Sequence, residues 1–125
     1  MPLIMEIKTV PHKHQRYDTL GDWVGHERIR FYSISEMGNP KYEFLVALHE
    51  MIEHAACIEA GISGDDVDRF DFMYEGDDPG NDPKAPYHKQ HTFAEKIERE
   101  VCEFLGLDWN AYGRFLNEYM AKEKL

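Results

Sequence analysis

The spacing of apolar residues is strand-like in the first third of the chain and helix-like after it. Residues 3–10 form a short β-type segment, and residues 19–24 and 28–35 flank a glycine-containing turn at residues 25–27. Two runs of β-branched and aromatic residues on either side of such a turn are typical of a hairpin. The pattern therefore predicts a small N-terminal antiparallel sheet.

Helix-terminating signals then delimit a long helix. Asn39 is a favourable N-cap, Pro40 suits the first helical position, and Gly61 supplies a stop, so we predict a helix over residues 40–60. Its apolar residues cover most of its circumference, which is typical of a central, buried helix.

Three further segments carry helix signals. Ser63 with Asp66 predicts a shorter helix that ends near residue 74. Pro86 is expected to open the next helix, and Asp108 is expected to cap the last one. The acidic segment that joins the first two of these helices, residues 75–86, is rich in Gly and Pro and is predicted to be a solvated loop. The whole pattern predicts one α+β domain, residues 1–125, with a small sheet followed by three to four helices.

The predicted central helix contains the run His49-Glu50-Met51-Ile52-Glu53-His54. His49 and Glu53 are four residues apart and point the same way, into an apolar stripe. An unpaired polar group in such a place costs about 2 kcal/mol or more. A bound divalent metal ion would satisfy the polar atoms of both side chains, and a hydrogen bond between them without metal would do so too. Glu50 lies beside them, and His54 is predicted to be a solvated surface residue.

Composition and charge narrow the function classes. The formal net charge is -10, and no basic run is present, which argues against duplex nucleic acid as a partner. The chain is 42% hydrophobic but has no run long enough to span a membrane, and no signal-peptide pattern. We therefore expect a cytoplasmic protein in which Cys57 and Cys102 are free, buried thiols.

The segment His49-Glu50-x-x-Glu53 resembles the HExxH helix of zincin metallopeptidases, of the minimal gluzincin type, with glutamate in place of the second histidine. The sheet predicted before it resembles the small sheet of minimal zincins. The resemblance implies that His49 and Glu53 bind zinc, and that Glu50 is the general base acting on zinc-activated water. The implied activity is hydrolysis of an amide or related bond in a peptide or small molecule. A strict HExxH is absent.

A third ligand is expected from the helix that follows residue 86. His91 is the first choice, because it borders the predicted apolar face, which consists of Phe93, Ala94, Ile97, Val101 and Phe104. His91-Thr92-Phe93-Ala94 also stands where gluzincins carry an acidic residue shortly before an alanine. The alternatives are Glu98, Glu95, His88 and His54, and a pure packing role for His91 stays open.

Two other functions remain open from the sequence. The pairs Glu50/Glu53 and Glu95/Glu98 resemble the ExxE magnesium sites of all-α nucleotide pyrophosphohydrolases of the MazG type. The other hypothesis is a non-catalytic protein that binds a small ligand or another protein, of the kind carried by phages or mobile elements. The aromatic C-terminal helix either packs internally or forms a homodimer.

Overall fold

The structure is a computed structural model that describes residues 1–76 and 78–125; Asp77, which belongs to the predicted acidic loop, lies outside the described residues. Within these residues, a three-stranded sheet precedes four helices, which confirms the α+β class. The strands are β1 (Ile4–Val10), β2 (Gly21–Gly25) and β3 (Ile29–Ser35). The helices are α1 (Pro40–Ala60), α2 (Gly64–Met73), α3 (His88–Phe104) and α4 (Trp109–Lys122).

The sheet is mixed, so the prediction of a purely antiparallel sheet was wrong. The predicted hairpin is present as antiparallel β2 and β3, but β1 pairs parallel to β3, with Ile4 opposite Ile29. The strand order is β1-β3-β2. Strand β3 carries Tyr32 and Ile34, each only 1% exposed, and takes the central position that buries them. Strands β1 and β2 are consecutive in the chain but do not pair, because β3 lies between them.

Helix α1 lies at the centre of the fold, between the sheet and α3. The side chain of Asn39 accepts a hydrogen bond from the amide of Tyr42, and Gly61 ends the helix with φ of 72°. Both predicted caps are therefore confirmed. Because α1 is covered on two sides, polar residues on two of its faces are buried. The histidine and glutamate side chains of the predicted site therefore lie inside the protein.

The remaining helices begin close to their predicted starts. Ser63 and Asp108 cap α2 and α4 by accepting hydrogen bonds from main-chain amides three residues on. Helix α3 begins at His88 and not at Pro86, because the preceding turn continues to the bond from the His88 amide to the Ala85 carbonyl.

The buried face of α3 differs from the predicted one. Ala94 is buried, as predicted, but Phe93 and Phe104 are 50% and 89% exposed, and Glu98 and Cys102 are buried instead. The helix thus turns a partly polar stripe towards α1. The stripe makes a polar contact with α1 through Glu98, whose Oε1 lies 2.8 Å from Nδ1 of His49.

Two further sequence predictions concern cysteines and membrane spans. Cys57 and Cys102 are both buried and unpaired, as expected. Among residues 1–76 and 78–125, no helix is both long enough and apolar enough to cross a bilayer.

Candidate metal centre

Three side chains converge between α1 and α3. The Nε2 atom of His49 lies 3.1 Å from Oε2 of Glu53 and 3.2 Å from Nδ1 of His91. The same Nδ1 of His91 lies 2.9 Å from Oε2 of Glu53. All three residues are well shielded from solvent, and together they could hold a metal ion. The structure therefore brings together the three residues that the sequence proposed as ligands.

The triangle of ligand atoms has dimensions close to those of a metal site. Ligand atoms about 2.0–2.2 Å from a tetrahedral zinc ion lie roughly 3.3–3.6 Å from one another. The three observed separations are 2.9–3.2 Å. Outward shifts of a few tenths of an ångström would bring them into range, so the cluster fits a small divalent ion with little rearrangement.

Hydrogen bonds hold the second polar atom of His49 and of Glu53, and a carboxylate lies near the second nitrogen of His91. Nδ1 of His49 lies 2.8 Å from Oε1 of Glu98. The indole N–H of Trp23 on β2 donates to Oε1 of Glu53 at 2.9 Å. Nε2 of His91 lies 3.4 Å from the carboxylate of Asp78. Such outer contacts set the tautomer and orientation of metal ligands, and here each leaves one atom directed at the shared centre.

The protonation of the cluster follows from these contacts. Burial acts to lower the pKa of His49, but hydrogen bonds with Glu53 and Glu98 outweigh it and raise that pKa well above 6.5. Burial favours the neutral form of Glu53, yet its bonds with His49 and His91 lower its pKa to about 2. The site thus favours a positive charge between the two imidazoles and the carboxylate. A divalent ion would replace the proton there.

Glu50 is placed differently from the three converging residues. It is largely buried, and its carboxylate faces the cleft without accepting a hydrogen bond from the described residues. Its Oε2 lies 4.0 Å from Nε2 of His49. Burial and the nearby charge of Glu53 raise the pKa of Glu50 well above 4.5. Gly21 permits this placement, because a Cβ there would lie 2.7 Å from Cγ of Glu50.

The cluster opens into a cleft with a volume of about 680 Å³. Glu50 and the three converging residues line one end of the cleft, and Trp109, Leu116 and Met120 from α4 line another part. Asp71 lies on the wall, where it accepts hydrogen bonds from Tyr17 at 3.0 Å and Tyr87 at 2.6 Å. The cleft therefore joins a polar, acidic end to an apolar surface.

The alternative ligands occupy other positions. Glu98 contacts the far nitrogen of His49 and also accepts a hydrogen bond from Tyr112, so it belongs to the outer contacts. Nδ1 of His88 lies 3.0 Å from the carbonyl oxygen of Gly80, away from the cluster. Glu95 lines the cleft without joining the triangle.

His54 was wrongly predicted to be a surface residue. It is 1% exposed, and its ring stacks on the indole of Trp23 with a centroid separation of 4.2 Å. Its Nδ1 lies 2.9 Å from the hydroxyl of Tyr32. The sheet covers the arc of α1 that helical periodicity alone marked as polar, so His54 packs behind the cluster and supports it.

Several contributing residues carried no recognisable signal in the sequence. Trp23 reaches the cluster from β2, and Asp78 reaches it from the loop before α3. Gly80 provides clearance, because a Cβ there would lie 2.5 Å from Nδ1 of His91. From the sequence, a glycine in an acidic loop indicates only a turn. The need for glycine at this position could not be predicted, because it depends on where α3 places His91.

A second polar chain lies outside the cleft centre and is closed to substrate. His12 contacts Ser35 at 2.7 Å through Nδ1 and Asp18 at 2.8 Å through Nε2. This order resembles a catalytic serine arrangement, but Ser35 has no exposed surface. The chain therefore ties β3 to the segment before β2 and offers no accessible nucleophile.

Comparison with known proteins gives no further identification. No protein-family model, no curated protein and no solved structure matches this chain.

Proposed function

We propose that this protein is a metal-dependent hydrolase in which His49, Glu53 and His91 hold a zinc ion. The observation that carries the proposal is the double set of contacts at each of these residues. One atom of each points to the common centre. Hydrogen bonds with Glu98 and Trp23 hold the other atom of His49 and of Glu53, and the carboxylate of Asp78 lies 3.4 Å from the other nitrogen of His91. A purely structural hydrogen-bonded cluster would not require hydrogen bonds that orient both His49 and Glu53 from outside.

The set of donor atoms favours zinc over harder ions. Two imidazole nitrogens and one carboxylate oxygen match the ligand set of known catalytic zinc sites, whereas magnesium prefers oxygen ligands and retained water. Three protein ligands also leave a fourth position open for water or substrate. The cleft reaches this position from solvent.

Glu50 is the residue that we propose as general base. Bound zinc would supply Lewis acidity that makes a water molecule easier to deprotonate. Glu50 would accept the proton, since its carboxylate is unpartnered, faces the cleft and lies 4.0 Å from Nε2 of His49. Its raised pKa brings the carboxylate nearer to the pH at which proton transfer in both directions is efficient. The substrate would carry an amide or related bond.

The magnesium-dependent pyrophosphohydrolase is the second candidate. In its favour, Glu50, Glu53, Glu95 and Glu98 all line one cleft. Against it, two of the four carboxylates are already hydrogen-bonded to His49, and the chain has a sheet where that family is all-α. The non-catalytic reading would leave the unpartnered Glu50 carboxylate without a role.

The experiment that tests the hydrolase compares Glu50→Gln with Glu59→Gln. Glu59 is an exposed carboxylate on the same helix, so its replacement controls for the change of charge. Hydrolysis of a pool of short peptides and acylated amines is followed by mass spectrometry. Glu50→Gln should fold, keep zinc and lose about 10²–10⁴-fold of the rate, as removal of a general base does. Unchanged hydrolysis in Glu50→Gln would reject the mechanism.

A further inference from the structure

Strand β1 is an edge strand with apolar side chains exposed on both of its faces. Ile4 is 51% exposed on one face, while Met5 and Ile7 are 41% and 46% exposed on the other. Helix α1 packs on β2 and β3, beside β1 and not across it. A long edge strand with exposed apolar residues is a ready template for pairing with another chain.

The free backbone groups of β1 can be assigned from its contacts with β3. The amide of Ile4 donates to the carbonyl of Arg28, and the carbonyl of Val10 accepts from the amide of Glu36, both at 2.8 Å. Since backbone groups alternate in direction along a strand, the N–H and C=O groups of Glu6 and Lys8 also point to β3. Met5, Ile7 and Thr9 therefore direct their N–H and C=O groups to the open edge.

We propose that β1 pairs antiparallel with β1 of a second copy of this chain, about a twofold axis at Ile7. The two sheets would join into one sheet of six strands. A twofold axis perpendicular to the sheet keeps side chains on their own faces, so paired residue numbers must add to an even sum. Ile7 is the midpoint of the strand, so with the axis there every residue of Ile4–Val10 has a partner in the other copy.

Charge complementarity identifies the occupant as a second copy. Glu6 and Lys8 lie on the same face of β1, with Nζ and Oε1 3.6 Å apart, and both are largely exposed. In the Ile7 register, Glu6 lies opposite Lys8 of the partner subunit, and the reverse pair forms by symmetry. An axis at Glu6 or at Lys8 would set like charges opposite each other and leave strand ends unpaired. Directly opposed charges on neighbouring strands stabilise or destabilise pairing according to sign.

Two features that often protect an edge strand, proline and a β-bulge, are missing from β1. Its sequence, IMEIKTV, contains no proline, and its pairing with β3 runs without a bulge from Ile4 to Val10. Its two charged side chains point to the face opposite the helices and cancel each other. An edge strand without proline or a bulge is consistent with an interface that a second copy covers in the dimer.

Charge variants in β1 test both the interface and its register. Wild-type protein is measured by sedimentation velocity over a range of concentrations, and we expect a monomer–dimer equilibrium. Glu6→Lys should weaken association about tenfold, because two attractive cross-strand pairs become repulsive. The double variant Glu6→Lys/Lys8→Glu should recover the wild-type affinity. Thermal unfolding at low concentration confirms that each variant folds.

A mixing experiment completes the test. Glu6→Lys and Lys8→Glu should each associate poorly alone, yet form a heterodimer when mixed, since every cross-strand pair is then of opposite charge. Wild-type protein that remains monomeric at about 1 mM would overturn the proposal, because a paired β1 edge should populate the dimer at that concentration. A dimer that is insensitive to Glu6→Lys, or one that the double variant fails to restore, would overturn the β1 interface in this register.

Discussion

The Nδ1 atom of His49 lies 2.8 Å from Oε1 of Glu98, which is 49 residues farther along the chain. This contact joins α1 to α3 and directs the opposite nitrogen of His49 towards Glu53 and His91. Helix packing and ligand geometry therefore depend on the same pair. It also accounts for the orientation of α3, which buries Glu98 and leaves Phe93 exposed.

Replacement of this outer carboxylate should weaken metal binding while the ligands remain. In Glu98→Gln, the neutral amide supports the imidazole less well and cannot accept from both His49 and Tyr112. We expect zinc affinity to fall about 10–100-fold, as is usual for such outer partners. Competition with a chromophoric chelator measures the affinity, and Glu95→Gln serves as the control on the same helix. Equal affinities in the two variants would show that Glu98 does not position His49.

Gly80 offers a steric test of His91 as a ligand. In Gly80→Ala, the new methyl group would lie 2.5 Å from Nδ1 of His91, so the imidazole or the loop must move. We expect zinc affinity to fall by tenfold or more, on the order of the losses for displaced ligand partners. The measurement is the same chelator competition.

Gly113→Ala is the matched control for Gly80→Ala, because nothing lies within 4 Å of a Cβ at Gly113 in α4. It should keep zinc and raise the free energy of unfolding by about 0.5–1 kcal/mol, the usual gain for alanine over glycine inside a helix. Urea denaturation measures this gain. Loss of zinc in Gly113→Ala, or full affinity in Gly80→Ala, would contradict the assignment.

The pH dependence of stability should carry a contribution from Asp71. Burial raises its pKa from 3.8 to about 6, although bonds from Tyr87 and Tyr17 act in the opposite direction. The folded protein then holds a proton that the unfolded chain releases, so this contribution is full below 3.8 and is lost as pH rises through about 6. Asp71→Asn should remove it, giving a flatter stability profile than wild type between about pH 4 and pH 7. Urea titrations in chelator measure both, and parallel profiles would contradict the assignment.

Glu53 should contribute to both metal binding and folding. Glu53→Gln keeps an acceptor for the indole of Trp23 but loses the carboxylate shared by His49 and His91. At zinc concentrations about 100 times the dissociation constant, zinc should stabilise wild type by about 2.7 kcal/mol. Thermal unfolding with and without zinc should show little of this shift in Glu53→Gln. An undiminished shift would mean that the ion binds elsewhere.

Local signals in the sequence predicted much of the helical part of the fold. Asn39 and Gly61 act through their own backbone neighbourhood, so the limits of α1 could be predicted from residue type. The direction of His49 and Glu53 followed from helical periodicity alone. The parallel pairing of β1 could not be predicted in this way, because it depends on which strand reaches the centre of the sheet.

Sequence reasoning failed where tertiary contacts decide the environment. His54 lies on the arc of α1 that appears polar, yet Trp23 and Tyr32 cover it from the sheet. Asp78 approaches His91 from a loop, where no periodicity gives a direction. Residues of this kind could be found only after the packing of the sheet and of α3 against α1 was known.

The metal content of purified protein tests the central claim most directly. Protein prepared without a histidine tag, from cells grown with added zinc, is analysed by inductively coupled plasma mass spectrometry. We predict close to one zinc ion per chain in wild type and in His14→Ala, whose imidazole is exposed and does not line the cleft. We predict almost none in His49→Ala, which removes a ligand shared with Glu53 and His91. Wild-type protein that is free of zinc, or His49→Ala that retains it, would contradict the account.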